Sequence, residues 1–384
     1  SGDHPDPDRE GAWHWFALGL IAALTVAWYW RSMWFPLVSD DYVIVLRALR
    51  GELLPRTLTE GDAGVAFRPF TRFLFAVQGW RGTADPVWWH SLGLAFHTAN
   101  TVVVYFLARW VAAPSPSLMA AAVFGLHAMH VEAVSWMNSR SDVLAAFFLL
   151  TALLLFLSNR PRPRWHKTVA AAVSLVLAIA SKESAYAFLP LAWVLAGARE
   201  GSLRRGAAAL TPYALVEAAM FAWRWQVVGG LGGYAAPGTG QSMFLSLNMW
   251  STLKALCWRA WALLFFPVNW DWRPGPMLWL SLAALAAALA VLTRARATRA
   301  ALAACVAFVM LALLPVLPLA LAGANLWGAR LLPGLGRCGV AGGRGLGRPR
   351  LAAFAVGHRR GPSSVSLRRA EAPTSGVGVR CTSH

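Results

Sequence analysis

Charged side chains are scarce in this chain. Only 14% of its 384 residues are charged, whereas 57% are hydrophobic. A soluble domain usually has about 25% charged and about 45–50% apolar residues. The chain therefore has too little polar surface to coat a globule of this size. This composition disfavours a soluble helical protein and indicates a membrane protein.

Several sequence signals of metal and nucleotide sites are also missing. No HExxH sequence occurs, which excludes zinc-protease chemistry of that kind, and no glycine-rich phosphate loop follows a strand pattern. The four cysteines show no paired spacing, so neither a zinc site nor a disulfide framework is indicated. They are Cys257, Cys305, Cys338 and Cys381.

Acidic residues are few as well. There are 17 Asp and Glu against 35 Lys and Arg, giving a net charge of +18. The cations cluster in short loops at 160–167, 199–205 and 294–299, as expected for loops on the cytoplasmic side of a membrane. No basic surface interleaved with aromatic residues is found, so we expect no nucleic-acid partner.

Apolar runs of spanning length predict an all-α, polytopic transmembrane bundle of about 9–10 spans. The 248–266 segment carries Lys254 and Arg259, which favour an interfacial or re-entrant helix. Residues 1–12 form a predicted cytoplasmic N-terminus, and a long outer loop covers about 32–86. The runs lie near 13–30, 88–110, 117–132, 141–158, 168–181, 184–198, 207–227, 277–293 and 300–322.

The segment 333–384 differs from the rest. It contains nine Arg against one acid, Glu371, and frequent Gly, which predicts a disordered tail. An arm for RNA or anionic lipid is one interpretation. We favour out-of-frame translation after Arg330, so that the transmembrane domain covers 13–332.

Two adjacent carboxylates, Asp40 and Asp41, follow the first predicted span. Such a pair can bind a divalent cation, or one member can act as a general base towards a hydroxyl group. The alternative is a helix cap, in which Ser39 or Asp40 begins the apolar turn that follows.

A second cluster extends from Leu126 to Asp142. His127 and His130 would share a face of a continuous helix while Glu132 turns away, which is poor support for zinc. A polar helix end at the interface is the alternative. Arg140 is a better candidate for a phosphate, because guanidinium matches phosphate in a bidentate manner.

Two further charged segments lie beside apolar runs. Lys182 and Glu183 interrupt the chain between two predicted spans, where Lys182 can hold a lipid phosphate and Glu183 can orient it. The alternative is a polar turn with a weak ion pair. Arg68, in Phe67-Arg68-Pro69-Phe70, is another phosphate candidate or a surface charge beside headgroups.

In this order, the segments resemble the membrane part of the transmembrane and tetratricopeptide-repeat O-mannosyltransferase-like proteins and their bacterial relatives, in the C-type glycosyltransferase superfamily. The similarity is most specific in 124–142 and 181–190. It implies inverting transfer of a sugar, often mannose, from a polyprenyl-phosphate carrier to a protein or glycan acceptor at the outer membrane face. No cofactor is certain, although a divalent cation at the aspartates is compatible.

The resemblance also assigns roles to residues. It implies that Asp40 or Asp41 is the catalytic acidic residue in the first outer loop. The donor site would be lined by His130, Glu132, Arg140, Lys182 and Arg330, with Arg68 and Glu183 beside them.

The chain departs from the family where His127 is followed by Ala128 rather than Pro, and after Arg330, where no further spans follow. The alternatives are therefore a multi-span transporter or flippase and an inactive, truncated glycosyltransferase. The Ala-, Arg- and Trp-rich composition favours a bacterial inner membrane, with the active face on the periplasmic side.

Overall fold

The computed structural model describes residues 7–55, 58–59, 66–110, 112–127, 130–160, 163–200 and 208–230. All the secondary-structure elements of these ranges are helices, which confirms the predicted all-α class. The predicted spans at 277–293 and 300–322, the ambiguous segment 248–266, Arg330 and the tail lie outside the described residues. The helices are α1 (Pro7–Tyr29), α2 (Asp41–Leu49), α3 (Pro69–Gly79), α4 (Pro86–Ala108), α5 (Pro114–Leu126), α6 (Val131–Ser135), α7 (Arg140–Ser158), α8 (Trp165–Ser181), α9 (Phe188–Glu200) and α10 (Thr211–Val228).

Three helical segments of the described chain are long and apolar enough to cross a membrane: Trp13–Trp34, Pro86–Ala108 and Met137–Ser158. Pro114–Leu126 and Trp165–Ser181 are shorter apolar helices. Exposed aromatic and aliphatic side chains cover α1, including Trp13, Trp15 and Trp28. A helix with this surface is suited to lipid contact.

One predicted span is shorter in the structure. The apolar run 117–132 is broken because α5 ends at Leu126, where the backbone of His127 is extended with φ −67° and ψ 128°. His130 and Glu132 therefore do not continue α5. Glu132 instead belongs to the separate short helix α6, so the helical face predicted for this motif does not exist.

The long segment between the first two spans contains α2 and α3. The apolar turn considered after Asp40 corresponds to α2, whereas α3 was not predicted. The two helices meet at Gly79, where a Cβ would lie 2.6 Å from the backbone oxygen of Ala48. The absence of a side chain at Gly79 therefore allows the two helices to approach closely. This contact fixes the segment that carries Asp40 and Arg68.

The largest core lies among α7, α8, α9 and α10. Alanines alternate with large side chains there: Ala171 and Ala178 on α8 and Ala192 on α9 are fully buried, together with Leu153 and Phe188. Small residues let helix backbones approach each other closely. In a lipid environment, where the hydrophobic effect does not drive helices together, such close packing stabilises their association.

A second group joins α1, α4 and α5. Gly125 packs against Thr25 and Thr101, and a Cβ at this glycine would lie 2.5 Å from Thr25 Oγ1. The Asn100 side chain then links α4 to α7 by donating to the backbone oxygen of Val143 at 3.0 Å. Polar contacts between helices replace water for groups in an apolar environment.

The bundle has two polar ends. α7 has 19 residues, which at about 1.5 Å per residue separates its ends by about 28 Å. At its C-terminal end, Lys167 donates to Ser158 at 3.3 Å and Asn159 donates to Thr168 at 2.9 Å. The other end of α7 carries the candidate functional residues.

Candidate functional site

Asp41 and Asp40, adjacent in sequence, have opposite environments. Asp41 is fully buried, and its Oδ2 and Oδ1 accept the backbone N–H groups of Val38 and Asn138, each at 3.1 Å. Burial raises the pKa of Asp41, whereas these two hydrogen bonds and the positive charge of Arg140 oppose the increase. Asp41 therefore ties the start of α2 to the segment before α7.

Asp40 is exposed. Its Oδ1 accepts the Ser39 hydroxyl at 3.3 Å, and its Oδ2 lies 3.5 Å from the Asn138 amide nitrogen. The predicted helix cap is not formed, because no side chain at this position caps α2. Ser39 has φ of 50°, in the left-handed region that non-glycine residues adopt at a cost. The turn thus presents one carboxylate to solvent and buries the next.

Arg140 begins α7 and is only 1% exposed. Its two terminal nitrogens donate to the Gln78 side chain and to the backbone oxygen of Trp89. The guanidinium also lies over the Phe75 ring, 4.7 Å from its centroid. In this structure the predicted phosphate ligand holds α3, α4 and α7 together rather than facing solvent. Its role toward a donor stays a prediction.

Arg68 and Glu183, which are 115 residues apart, form a bidentate ion pair. Arg68 Nη2 lies 2.8 Å from Glu183 Oε1, and Arg68 Nε lies 3.2 Å from Oε2. Burial alone would raise the pKa of Glu183, but the charge and hydrogen bonds of Arg68 lower it to about 2. Both side chains are about a quarter exposed, at 24% and 29%. The pair therefore stays ionised at neutral pH.

Lys182 forms a second ion pair, with Asp142. The polar-turn alternative expected an ion pair between Lys182 and Glu183. In the structure each of them pairs with a different residue. Because Arg68 Nη1 also approaches Ser141 Oγ at 3.5 Å, the two ion pairs lie side by side between α3, α7 and the 181–183 segment. Two cations, Arg68 and Lys182, are fixed next to each other.

Glu132 lies close to the second ion pair. Its carboxylate is half-buried, and burial raises its pKa, as does the charge of Asp142, while Lys182 lowers it. This places α6 at the same end of the bundle as the ion pairs. Glu132 is therefore near Lys182, the predicted ligand of a donor phosphate.

His130 belongs to an aromatic cluster instead. Its ring lies 4.6 Å from Phe124 and 5.0 Å from His97, centroid to centroid. His97 is fixed by a contact of 3.1 Å between its Nε2 and the backbone oxygen of Gly125. Across the described ranges, no three His, Cys, Asp or Glu side chains are grouped so that they could hold a metal ion.

Four of the predicted segments thus meet at the N-terminal end of α7. Contacts link Asp41 to Asn138, Arg68 to Glu183 and Lys182 to Asp142. His130 is set apart by its contacts with rings, and Arg330 lies outside the described residues.

The chain is similar to protein O-mannosyltransferases. It is 26% identical over 153 residues to the mouse protein O-mannosyl-transferase TMTC3, and 25% identical over the same length to the human protein. Tmtc1 of Drosophila melanogaster is 24% identical over 144 residues. Each alignment covers 37% of this chain and 17% of the relative. No family model matches the chain, and no solved structure matches it significantly.

Three residues of this end were not assigned a role from the sequence. Asn138 contacts both aspartates, Asp142 pairs with Lys182, and Gln78 accepts from Arg140. Gln78 gave no signal in the sequence, because it lies in the semi-polar segment 32–86, where no apolar run marked α3. Asn138 and Asp142 lie within the motif already noted, but their partners are distant in the sequence.

Proposed function

We propose that this protein is a membrane glycosyltransferase. It would transfer a hexose, mannose or a mannose-like sugar, from a polyprenyl-phosphate donor to a hydroxyl group of a protein or glycan acceptor at the outer face of the membrane. The observation that supports this most is the division of roles between the two aspartates. Asp41 is a buried structural carboxylate, and Asp40 is an exposed one on a strained turn.

In the proposed reaction, the carboxylate of Asp40 accepts the proton of the acceptor hydroxyl. The acceptor oxygen then forms a bond to the anomeric carbon while the bond from that carbon to the phosphate oxygen breaks. The electron pair of the broken bond leaves with the polyprenyl phosphate, and the anomeric configuration is inverted. Attack and departure from opposite faces require the base and the phosphate site to be separate groups.

The leaving phosphate gains negative charge as it departs, so fixed cations nearby would favour its departure. Arg68 and Lys182 are held at the same end of the bundle as Asp40. Their carboxylate partners Glu183 and Asp142 fix their positions and balance their charges. What the two side chains would offer the phosphate is therefore N–H donors in fixed positions rather than excess positive charge. The similarity to proteins named O-mannosyltransferases supports the same reaction class.

The test compares the two aspartates in proteoliposomes supplied with polyprenyl-phosphate mannose and a panel of hydroxyl acceptors. Loss of a general base typically lowers turnover by about 10²–10⁴-fold, so we expect this loss in Asp40→Asn with no change in melting temperature. Asp41→Asn should instead lower the melting temperature.

The matched control is Glu52→Gln, which removes an exposed carboxylate beyond α2 whose nearest cation is Arg50 at 3.8 Å. It should leave turnover unchanged. Transfer by Asp40→Asn at the rate of the unaltered chain would contradict the assignment of the base. A chain that consumes none of the donors offered, while remaining folded, would contradict the proposed reaction and support a transporter.

A further inference from the structure

The side of α2 that faces away from the bundle is apolar. Tyr42, Val43, Leu46 and Leu49 are between 37% and 60% exposed, although α2 has only nine residues. A helix at the surface of a soluble protein usually turns polar side chains outwards. A group of exposed apolar side chains marks a surface that contacts another protein or a membrane.

The opposite side of α2 is fixed to the bundle. Asp41, Val45 and Ala48 are buried, and their spacing places them on one side of a helix. Asp41 accepts two backbone N–H groups, and Ala48 packs closely against Gly79 of α3. Because this side is held by packing and hydrogen bonds, the apolar residues of the other side stay on the outside.

The α2 helix lies at the level where the candidate spans begin and end. Val45 belongs to one apolar cluster with Trp89 and Met137, and each of these two residues stands in the first turn of a candidate span. The third candidate span ends at Trp34, shortly before α2. A helix packed against the ends of spans lies where the hydrocarbon core meets the headgroup region.

Aromatic side chains mark the same boundary. Trp30 and Trp34 are about half exposed, and their ring centroids lie 5.1 Å apart at the end of the first candidate span. Tyr42 adds a third exposed ring in the first turn of α2. Tryptophan and tyrosine are enriched at membrane–water interfaces. The exposed side of α2 therefore continues the lipid-facing surface of α1.

The exposed side of α2 also carries two arginines and no acidic residue. Arg47 follows Val43 by one helical turn, and Arg50 follows Leu46 in the same way. Their long apolar stems can lie along these neighbours while the guanidinium groups reach towards phosphate. Arg50 lies 3.8 Å from Glu52, and both side chains are more than half exposed, so this weak pair leaves the arginine accessible. Apolar residues beside cations on one helix face are typical of helices that lie in a membrane interface.

We propose that the exposed side of α2 is a binding surface for anionic phospholipids. Its apolar side chains enter the boundary between headgroups and acyl chains, and Arg47 and Arg50 bind the headgroup phosphates. The leaflet concerned is the one at the N-terminal end of α7. Lipid binding by this surface goes beyond sugar transfer and does not require it. It has one consequence for transfer: Asp40 directly precedes α2, so the bound helix holds this carboxylate at the surface of the bilayer.

The first test locates α2 relative to the membrane. The full chain, with its native cysteines replaced by alanine, carries one new cysteine with a bimane fluorophore and is placed in vesicles of phosphatidylcholine and phosphatidylglycerol in equal parts. Leu46→Cys is the test position. Leu24→Cys, exposed on α1 within the first candidate span, is the lipid reference, and Glu52→Cys is the water reference. We expect Leu46→Cys to be quenched by phospholipids with a nitroxide near the headgroup and to be protected from aqueous iodide, as Leu24→Cys is.

The second test measures lipid selectivity at the Leu46→Cys label. Nitroxide-labelled phosphatidylglycerol and phosphatidylcholine are compared as quenchers in otherwise identical vesicles. One arginine near an anionic lipid surface corresponds to about a fivefold preference, so we expect at least this preference for phosphatidylglycerol. The double change Arg47→Gln and Arg50→Gln should bring the ratio to about one.

Two matched controls accompany the selectivity test. Arg81→Gln removes another exposed arginine at this end of the bundle, one that lies over the Trp88 ring at 4.6 Å. It should leave the ratio at Leu46→Cys unchanged. The Leu24→Cys label, which has lipid neighbours away from the headgroups, should show no preference between the two lipids.

Several outcomes would overturn the lipid surface. Iodide quenching at Leu46→Cys as strong as at Glu52→Cys would show that α2 faces water. Protection from both iodide and lipid nitroxides would show that protein covers this side, either another part of the chain or a second copy. Equal quenching by the two lipids would remove the role of the arginines. Because neither donor nor acceptor is present in these tests, failure of sugar transfer would leave the lipid surface standing, and loss of the lipid surface would leave the proposed reaction standing.

Discussion

The Arg68–Glu183 pair gives the sharpest test of how this end of the bundle is held together. The perturbation is a double-mutant cycle of Arg68→Met, Glu183→Met and the double variant. The two residues are 115 positions apart in the sequence and form two charge-assisted hydrogen bonds of 2.8 and 3.2 Å. Each single change leaves one charge without its principal partner.

The expected magnitude follows from burial. Breaking a fully buried ion pair costs about 3–5 kcal/mol, and an exposed pair contributes about 0–1 kcal/mol. With side chains 24% and 29% exposed, each single variant should lose about 2–3 kcal/mol. The pKa of Glu183 agrees in direction, since Arg68 stabilises the charged carboxylate and the pKa falls from 4.5 to about 2.

The double variant removes both charges together and should recover part of the loss. We expect a coupling energy of about 2 kcal/mol between the two sites, measured by reversible unfolding in mixed micelles with helical circular dichroism as the signal. Arg31→Met, an exposed arginine after α1, is the control for loss of one surface cation and should change stability by less than about 0.5 kcal/mol.

Additive single effects would refute this reasoning. If the double variant loses the sum of the two single losses within about 0.5 kcal/mol, the two side chains do not interact in the folded protein. The contact between α3 and the end of α8 would then have to depend on other contacts, such as the hydrogen bond of 3.1 Å from the Thr71 hydroxyl to the backbone oxygen of Ser181.

Three further predictions concern the same bundle. The pKa of Glu183 in the folded protein is lowered to about 2 from 4.5. Its stabilising contribution should therefore be complete above pH 4.5 and be lost as the pH falls towards 2. Thermal melts across this range should show a decrease in melting temperature that Glu183→Gln lacks. Gly125→Val should lower stability by about 2–3 kcal/mol, since a Cβ would lie 2.5 Å from Thr25 Oγ1, as measured by denaturant unfolding. Arg140→Met should cost about 3 kcal/mol or more by the same measurement, because Gln78 and the Trp89 carbonyl lose their donor in a buried site.

The controls for these predictions use the same chain. Gly19→Ala has nothing within 4 Å of the added Cβ and should not destabilise α1. Arg140→Lys should recover only part of the loss, since an ammonium group does not reproduce the fork of a guanidinium. A pH profile of the unaltered chain identical to that of Glu183→Gln would contradict the Arg68–Glu183 pair. Unchanged stability of Gly125→Val would contradict the close contact of Gly125 with Thr25. Unchanged stability of Arg140→Met would contradict the buried hydrogen bonds of Arg140.

Helix class and approximate helix positions could be predicted because they depend on local composition. The runs that became α4 and α7 are continuous and apolar, so length and hydropathy are sufficient to indicate them. The α2 helix was considered only as the apolar turn after Asp40. The α3 helix escaped detection because it lies in a long semi-polar segment with no apolar run of spanning length. The α5 boundary was misplaced since an apolar run does not reveal where the backbone at His127 becomes extended.

The candidate site could be predicted as a set of segments but not as a set of partners. The motifs indicated which residues are unusual at a membrane surface: Asp40, Asp41, Arg68, Arg140, Lys182 and Glu183. Pairing depends on helix packing across long sequence separations. Adjacent residues therefore acquired different roles, as the buried Asp41 and the exposed Asp40 illustrate.

By itself, the sequence determined that the described chain is an all-α membrane protein with cations and carboxylates gathered beside its apolar runs, because hydropathy and charge are properties of each residue. Only the tertiary structure decided which carboxylate faces solvent, and that Lys182 pairs with Asp142 rather than with Glu183. The physical reason is that burial and ion pairing are set by which helices touch. Those contacts arise from side chains far apart along the chain, such as Gly125 against Thr25 and Gly79 against Ala48.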